Sequence, residues 1–208
     1  MYYNSTVALE FFRRAAGEPR TLGVLPAGFN PPTRAHLALA EAGLSIVDEL
    51  LFVLPREFPH KSYESVSFAQ RMEMLLAATE GEPRYSVASS EGGLFVEIAG
   101  ECRETYGRET ALMFVCGRDA AERILNWDYG QPGAFHRMLQ DFEMLVAPRS
   151  GAFHPPDEMR RRIRSLPVDG SISAISATDV RQRVRCGEPW EHLVPDEIVS
   201  MVGKIYGT

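Results

Sequence analysis

Short unbroken apolar runs alternate along the chain with longer segments of mixed polarity. Residues 22–26 (LGVLP) and 50–54 (LLFVL) carry no polar side chain. A strand wet on one face alternates with period two, so these runs predict strands covered on both faces, as in a parallel sheet. Residues 36–44 between them suit a helix. Strand, helix and strand at this spacing imply a parallel pair joined by a right-handed crossover.

The alternation continues. Strands are expected over 85–88, 112–116 and 142–147, and helices over 94–106, 118–126 and 133–140. Beyond them the pattern predicts a basic helix over 156–164 with proline at its start and a last short strand over 171–175. Two C-terminal helices, 178–185 and 196–205, follow. At the other end, a Ser5 or Thr6 cap and apolar contacts at Val7, Leu9, Phe11 and Phe12 predict an amphipathic helix over 5–16. The expectation is an N-terminal helical extension (1–20) before a single domain (21–208), since no repeat or linker tract interrupts the alternation. The fold class is α/β, a doubly wound parallel sheet with C-terminal helices.

The totals narrow the function. With 208 residues, 45% of them hydrophobic, the chain is long enough for one substantial core. Twenty-two basic against 28 acidic residues give a net charge of -6, which disfavours a broad grip on nucleic acid or on an anionic membrane. A small anion in a local basic pocket stays compatible with that balance. Cys102, Cys116 and Cys186 form no CxxC pair and are odd in number, so they read as reduced. No basic leader or membrane-length apolar run is present, and the expected location is cytoplasmic. Both a monomer and a homo-oligomer are open.

In open α/β sheets the ligand sits beyond the carboxyl ends of the strands, where strand order reverses. Three loops there are unusual. In AGFNPPTRAH, after the first apolar run, Gly28 permits a tight turn, and Pro31 and Pro32 stiffen the path. The next helix then offers its free N–H groups and positive dipole end, a phosphate site in outline. Thr33 and His36 lie three apart, on one helical face. In ISATDVR, Ser176, Thr178 and Arg181 gather at another helix start, where the ordinary reading is Thr178 as N-cap with Asp179 in the first turn. The third loop, Gly117-Arg118-Asp119, is followed by Trp127. No His, Cys or carboxylate cluster has the spacing of a protein-held metal site.

Together these stretches resemble the nucleotidylyltransferase superfamily. GFNPPTRAHL is similar to the GxFxPxTxxHL form of its [HT]xGH signature, found in mononucleotide adenylyltransferases of NAD biosynthesis. ISATDVR is similar to the family's ISSTxIR motif, PREFPHK to its PxxxPHK segment, GRD with Trp127 to its GxD and downstream Trp, and Arg71-Met72-Glu73-Met74 to its RxEM helix. The chain departs from the pattern at Ala27, Gly28 and Ala35, and at Leu94 and Phe95, where bacterial members usually show a Tyr-Thr pair.

The resemblance implies a Rossmann-like nucleotidylyltransferase fold and adenylyl transfer from ATP to nicotinate or nicotinamide mononucleotide. It places His36 and Thr33 at the α-phosphate and Lys61 near the phosphates of either substrate. ATP would be held by Gly28, Phe29, Asn30, His36, Ser176, Thr178, Asp179 and Arg181. The mononucleotide would be held by Lys61, Gly117, Asp119 and Trp127, and Mg²⁺ mainly by the ATP phosphates. Two other readings are a transferase acting on pantetheine phosphate or an alcohol phosphate, and a catalytically weak nucleotide-binding regulatory protein, suggested by the departures.

Overall fold

Three apolar runs build the middle of the sheet: β2 (Thr21–Pro26), β3 (Glu49–Pro55) and β5 (Ala111–Gly117). The computed structural model describes residues 8–57, 66–131, 133–148 and 153–207. Every residue of β3 is buried, the burial expected of a strand covered on both faces. β2 pairs in parallel with β3 on one side and β5 on the other. Strands β4 (Tyr85–Ser90) and β6 (Glu143–Ala147) extend the sheet outward in parallel.

Two edge strands complete it: β1 (Glu10–Arg13), antiparallel to β4, and β7 (Ile163–Ser165), parallel to β6. Among the described residues the order is β1-β4-β3-β2-β5-β6-β7. The chain therefore steps outward from β2 to β4, then crosses back to β5. The reversal lies between β2 and β5, as expected of a doubly wound sheet.

Helices α1 (Arg34–Leu44) and α2 (Phe68–Ala78) cover one face, through Ala40, Leu44, Met72 and Leu75 against Leu50, Phe52 and Leu54. Helices α3 (Phe95–Tyr106), α4 (Arg118–Leu125) and α5 (Ala134–Met138) cover the other, against Leu51, Val53 and Phe114. Gly43 lets α1 approach closely: a Cβ there would stand 2.9 Å from a terminal methyl of Leu50 and 3.3 Å from Val115, so those side chains would have to shift. After the one-turn α6 (Gly170–Ser173), α7 (Ala177–Cys186) and α8 (Val199–Tyr206) pack on α2 through Met74, Ala78, Val180, Val202 and Tyr206. No helix among the described residues is long and apolar enough to cross a membrane.

Three expectations are corrected. Residues 10–13 of the expected 5–16 helix form β1; residues 1–7 lie outside the described residues. Leu9 is buried, Glu10 exposed, Phe11 half-buried and Phe12 exposed, a period of two that the free edge of β4 selects. Arg13 fixes this edge by donating to the carbonyls of Leu76 and Thr79. The basic helix over 156–164 is a 3-10 turn (Asp157–Met159) followed by β7. There Ile163 turns into the core, and Arg162 and Arg164 pair with Glu143 on β6. The strand over 171–175 is replaced by α6, because Asp169 accepts from the Ser171 N–H and closes a helical turn.

Candidate active site

The reversal point opens into a cleft of about 720 Å³. Its floor is the carboxyl ends of β2 and β5, and its walls come from the loop after β2, the start of α3, α4 and the start of α7. Residues far apart in sequence meet here: Gly28, Asn30 and His36 from the first loop, Ser176, Thr178 and Arg181 from α7. Gly117, Asp119 and Trp127 line the same cleft from the side of β5 and α4.

The loop after β2 is held in an unusual shape. Phe29 takes the left-handed backbone conformation, with φ of +41°, at a cost of about 1–2 kcal/mol for a residue bearing a Cβ. The sequence suggested Gly28 as the conformationally permissive residue of this turn; the positive φ falls on Phe29 instead. Packing holds it there: the Phe29 ring is 1% exposed, 5.1 Å from the His36 ring and 5.9 Å from that of Phe52.

Thr33 caps α1 and orients His36. Its backbone N–H donates to His36 Nδ1 at 3.0 Å, and its hydroxyl lies 2.8 Å from the same nitrogen. A nitrogen that accepts from a backbone N–H bears no proton, so the proton of the neutral ring is on Nε2. Thr33 is itself 0% exposed. It also lines the cleft, with its hydroxyl against the imidazole.

Two arginines and a tyrosine pin the loop from behind. Arg71, buried on α2, donates from Nη1 to the Gly28 carbonyl at 3.1 Å. Arg181 donates from Nη1 to the Asn30 carbonyl at 2.5 Å and from Nη2 to Thr178 Oγ1 at 3.2 Å. The Tyr206 hydroxyl donates to Asn30 Oδ1 at 2.5 Å, and burial pushes that phenol's pKa up. Asn30 is buried, with both of its oxygens in use, so it shapes the loop rather than reaching outward.

Ser176, not Thr178, caps α7: its hydroxyl accepts from the Asp179 N–H at 3.0 Å. Thr178 lines the cleft one residue into the helix. Asp179 is the expected site residue that the structure turns away. Its carboxylate accepts from Arg183 Nε at 3.0 Å, a one-turn helical pair outside the cleft lining. Lys61, expected near the phosphates, lies outside the described residues.

The cleft lining combines donors and cations with apolar surface. Leu94 and Phe95, which stand where the resemblance would place Tyr and Thr, both line it, and Phe95 stacks on Phe114 with centroids 4.4 Å apart. Tyr129 and Cys116 also line it, and burial pushes the pKa of each up to about 12. Both stay protonated at neutral pH, so the thiol is no nucleophile. Among the described residues, no group of three or more His, Cys, Asp or Glu could hold a metal ion. The arrangement suits charge neutralisation and alignment rather than covalent catalysis.

Sequence reasoning missed the two clamps from the C-terminal region and from α2, Tyr206 and Arg71. It also missed Arg123 and Arg185, both in the cleft wall. A signal for Arg185 was present: it follows Arg181 by four residues on a helix, hence on one face.

Residues 24–183 match the family model described as cytidylyltransferase-like. Among curated proteins, the chain is 31% identical over 201 residues to a probable nicotinate-nucleotide adenylyltransferase of Moorella thermoacetica, covering 88% of this chain and 89% of that one. It is 34% identical to a protein of the same description from Salinispora arenicola, covering 85% and 95%. Among solved structures, the fold matches Plasmodium falciparum nicotinic acid mononucleotide adenylyltransferase complexed with NaAD, with a TM-score of 0.66 at 16% identity. That match covers 86% of this chain and 95% of the other.

Proposed function

Because the chain belongs to the cytidylyltransferase-like family, we propose that it transfers the adenylyl group of ATP to the 5′-phosphate of a pyridine mononucleotide. Nicotinate mononucleotide is the first acceptor to test, given the names of the curated relatives, and nicotinamide mononucleotide the second. The products are the NAD-type dinucleotide and pyrophosphate. The observation that carries this reading is the bond from Arg181 to the Asn30 carbonyl, which ties the α1 loop and the α7 loop to one cleft.

In the reaction, an oxygen of the acceptor's 5′-phosphate attacks the α-phosphorus of ATP. The new O–P bond forms as the bond from the α-phosphorus to the bridging oxygen breaks, and pyrophosphate leaves with that electron pair. The protein's task is alignment and neutralisation of the growing charge. His36 donates its Nε2 proton as a hydrogen bond to an α-phosphate oxygen, and Thr33 keeps the ring in that tautomer and orientation. The free N–H groups at the starts of α1 and α7, with Ser176, Thr178 and Arg181, hold the phosphates. Gly117 and Asp119 take the ribose region, and Trp127 stacks on the pyridinium ring, a flat cation suited to an aromatic face. Magnesium arrives as the counter-ion of ATP, part of the substrate, and offsets charge on its phosphates.

This reading makes the chain one catalytic domain, and a cytoplasmic location suits both substrates. The test is pyrophosphate release from ATP with nicotinate mononucleotide, nicotinamide mononucleotide and phosphopantetheine in parallel. Turnover with a pyridine mononucleotide is expected. Turnover with phosphopantetheine alone would reassign the acceptor, and ATP binding without any turnover would make the protein a nucleotide-binding regulator.

A further inference from the structure

Helix α7 carries arginines at 181, 183 and 185. At about 100° per residue, the first and last share a face and the middle one points away. The contacts follow that division. Arg183 pairs with Asp179 and donates to the Pro189 carbonyl at 3.2 Å, whereas Arg181 and Arg185 both line the cleft.

The two cleft arginines differ in how far they are already engaged. Arg181 spends one N–H of each Nη on the protein, on the Asn30 carbonyl and on Thr178. Arg185 is exposed and makes no hydrogen bond or ion pair with a described residue. It stands one turn, about 6 Å of helix rise, farther from the α7 N-terminus. The one carboxylate among the described lining residues, Asp119, comes from α4 rather than from this end. A guanidinium with its whole donor fork available, on the wall of a cleft and without an acidic neighbour on its own helix face, is suited to an anion with several oxygens.

We propose that Arg185 binds the outermost phosphate of ATP and the pyrophosphate product, one turn beyond the phosphate contacts of Ser176, Thr178 and Arg181, and supplies the outer charge. The proposal rests on the adenylyltransferase reading of the cleft. Arg185 then sets preference for a triphosphate over a monophosphate and touches neither the pyridine ring nor the attacking phosphate.

The test is calorimetric binding of pyrophosphate and of AMP to the wild-type protein, R185Q and R185K, with steady-state KM values alongside. R185Q is expected to weaken pyrophosphate binding about tenfold, as loss of a charge-assisted contact should, and to leave AMP binding within about twofold. R185K should fall between. KM for ATP should rise in R185Q while KM for the mononucleotide stays level. Unchanged pyrophosphate affinity in R185Q, or equal weakening of pyrophosphate and AMP, overturns the proposal. If the wild type turns over no mononucleotide and R185Q still loses pyrophosphate selectively, the acceptor assignment fails and the role of Arg185 stands.

Discussion

Nη1 of Arg181 lies 2.5 Å from the carbonyl oxygen of Asn30, a residue 151 positions away in the chain. This bond fixes the distance between two loops that each hold one end of the triphosphate in the proposed reaction. Tyr206 reaches the same asparagine from α8, across 176 positions. Asn30 thus couples the loop after β2 to the C-terminal helices, whose packing on α2 decides where the loop sits.

Removing either partner should separate the two effects. Arg181→Ala deletes a cation and a clamp together and should lower kcat/KM by about 100-fold or more. Tyr206→Phe keeps the ring in the core but leaves a buried amide oxygen without its donor, for a stability loss of about 1–3 kcal/mol. Denaturant unfolding and steady-state kinetics on both variants check this. A Tyr206→Phe protein as stable as the parent would mean that the bond contributes nothing.

His36→Ala should lower kcat by about 100- to 1,000-fold with the fold retained, as loss of a single preorganised donor does. Thr33→Val removes the hydroxyl but keeps the backbone N–H that sets the tautomer. Its effect on kcat should be smaller, about tenfold or less. Equal losses in the two variants would show that Thr33 acts on its own account.

Trp127→Ala should raise KM for the mononucleotide more than KM for ATP, because Trp127 lines the cleft just after α4, the helix that carries the proposed mononucleotide contact Asp119. The stacking contribution corresponds to about 1–2 kcal/mol, or roughly a tenfold change in KM. An equal rise for both substrates would assign Trp127 to the structural wall.

Glu101 gives a pH signature of stability. Its side chain is buried, Oε1 accepts from the Gly92 N–H, and Oε2 has no partner. Burial raises its pKa above the usual 4.5. The folded state therefore holds this proton more tightly than the unfolded state does. Its contribution favours folding below the ordinary carboxylate value and is lost as pH rises through the raised one. Glu101→Gln should remove that slope, so the variant gains on the parent from mildly acidic to neutral buffer. Urea unfolding across that range measures it, and parallel pH profiles for the two proteins would contradict the assignment.

Local chemistry made the centre of the molecule legible. An unbroken run such as LLFVL must be hidden on both faces, and that requirement alone orders β2, β3 and β5 into a parallel sheet with helices between. The same locality singled out the two candidate phosphate loops, since a helix start rich in hydroxyls with a histidine or arginine one turn on is a property of neighbouring residues. The edges were not legible. Residues 10–13 and 163–165 became strands because β4 and β6 had free edges to offer, and a period of two over three or four residues is too short to declare itself against a helical pattern.

The inner order of the site was settled only by folding. Phe29 holds a left-handed backbone because Phe52 and His36 pack around its ring. Asp179 turns from the cleft because Arg183 lies one turn ahead of it. Arg71, Arg181 and Tyr206 become clamps because packing brings them to the carbonyl of Gly28 and to the two oxygens of Asn30. Residue type tells which groups need a partner, and short-range spacing tells which groups share a face. Which donor meets which acceptor across more than a hundred positions depends on how layers of helix stack on the sheet, and that is a property of the packed chain alone.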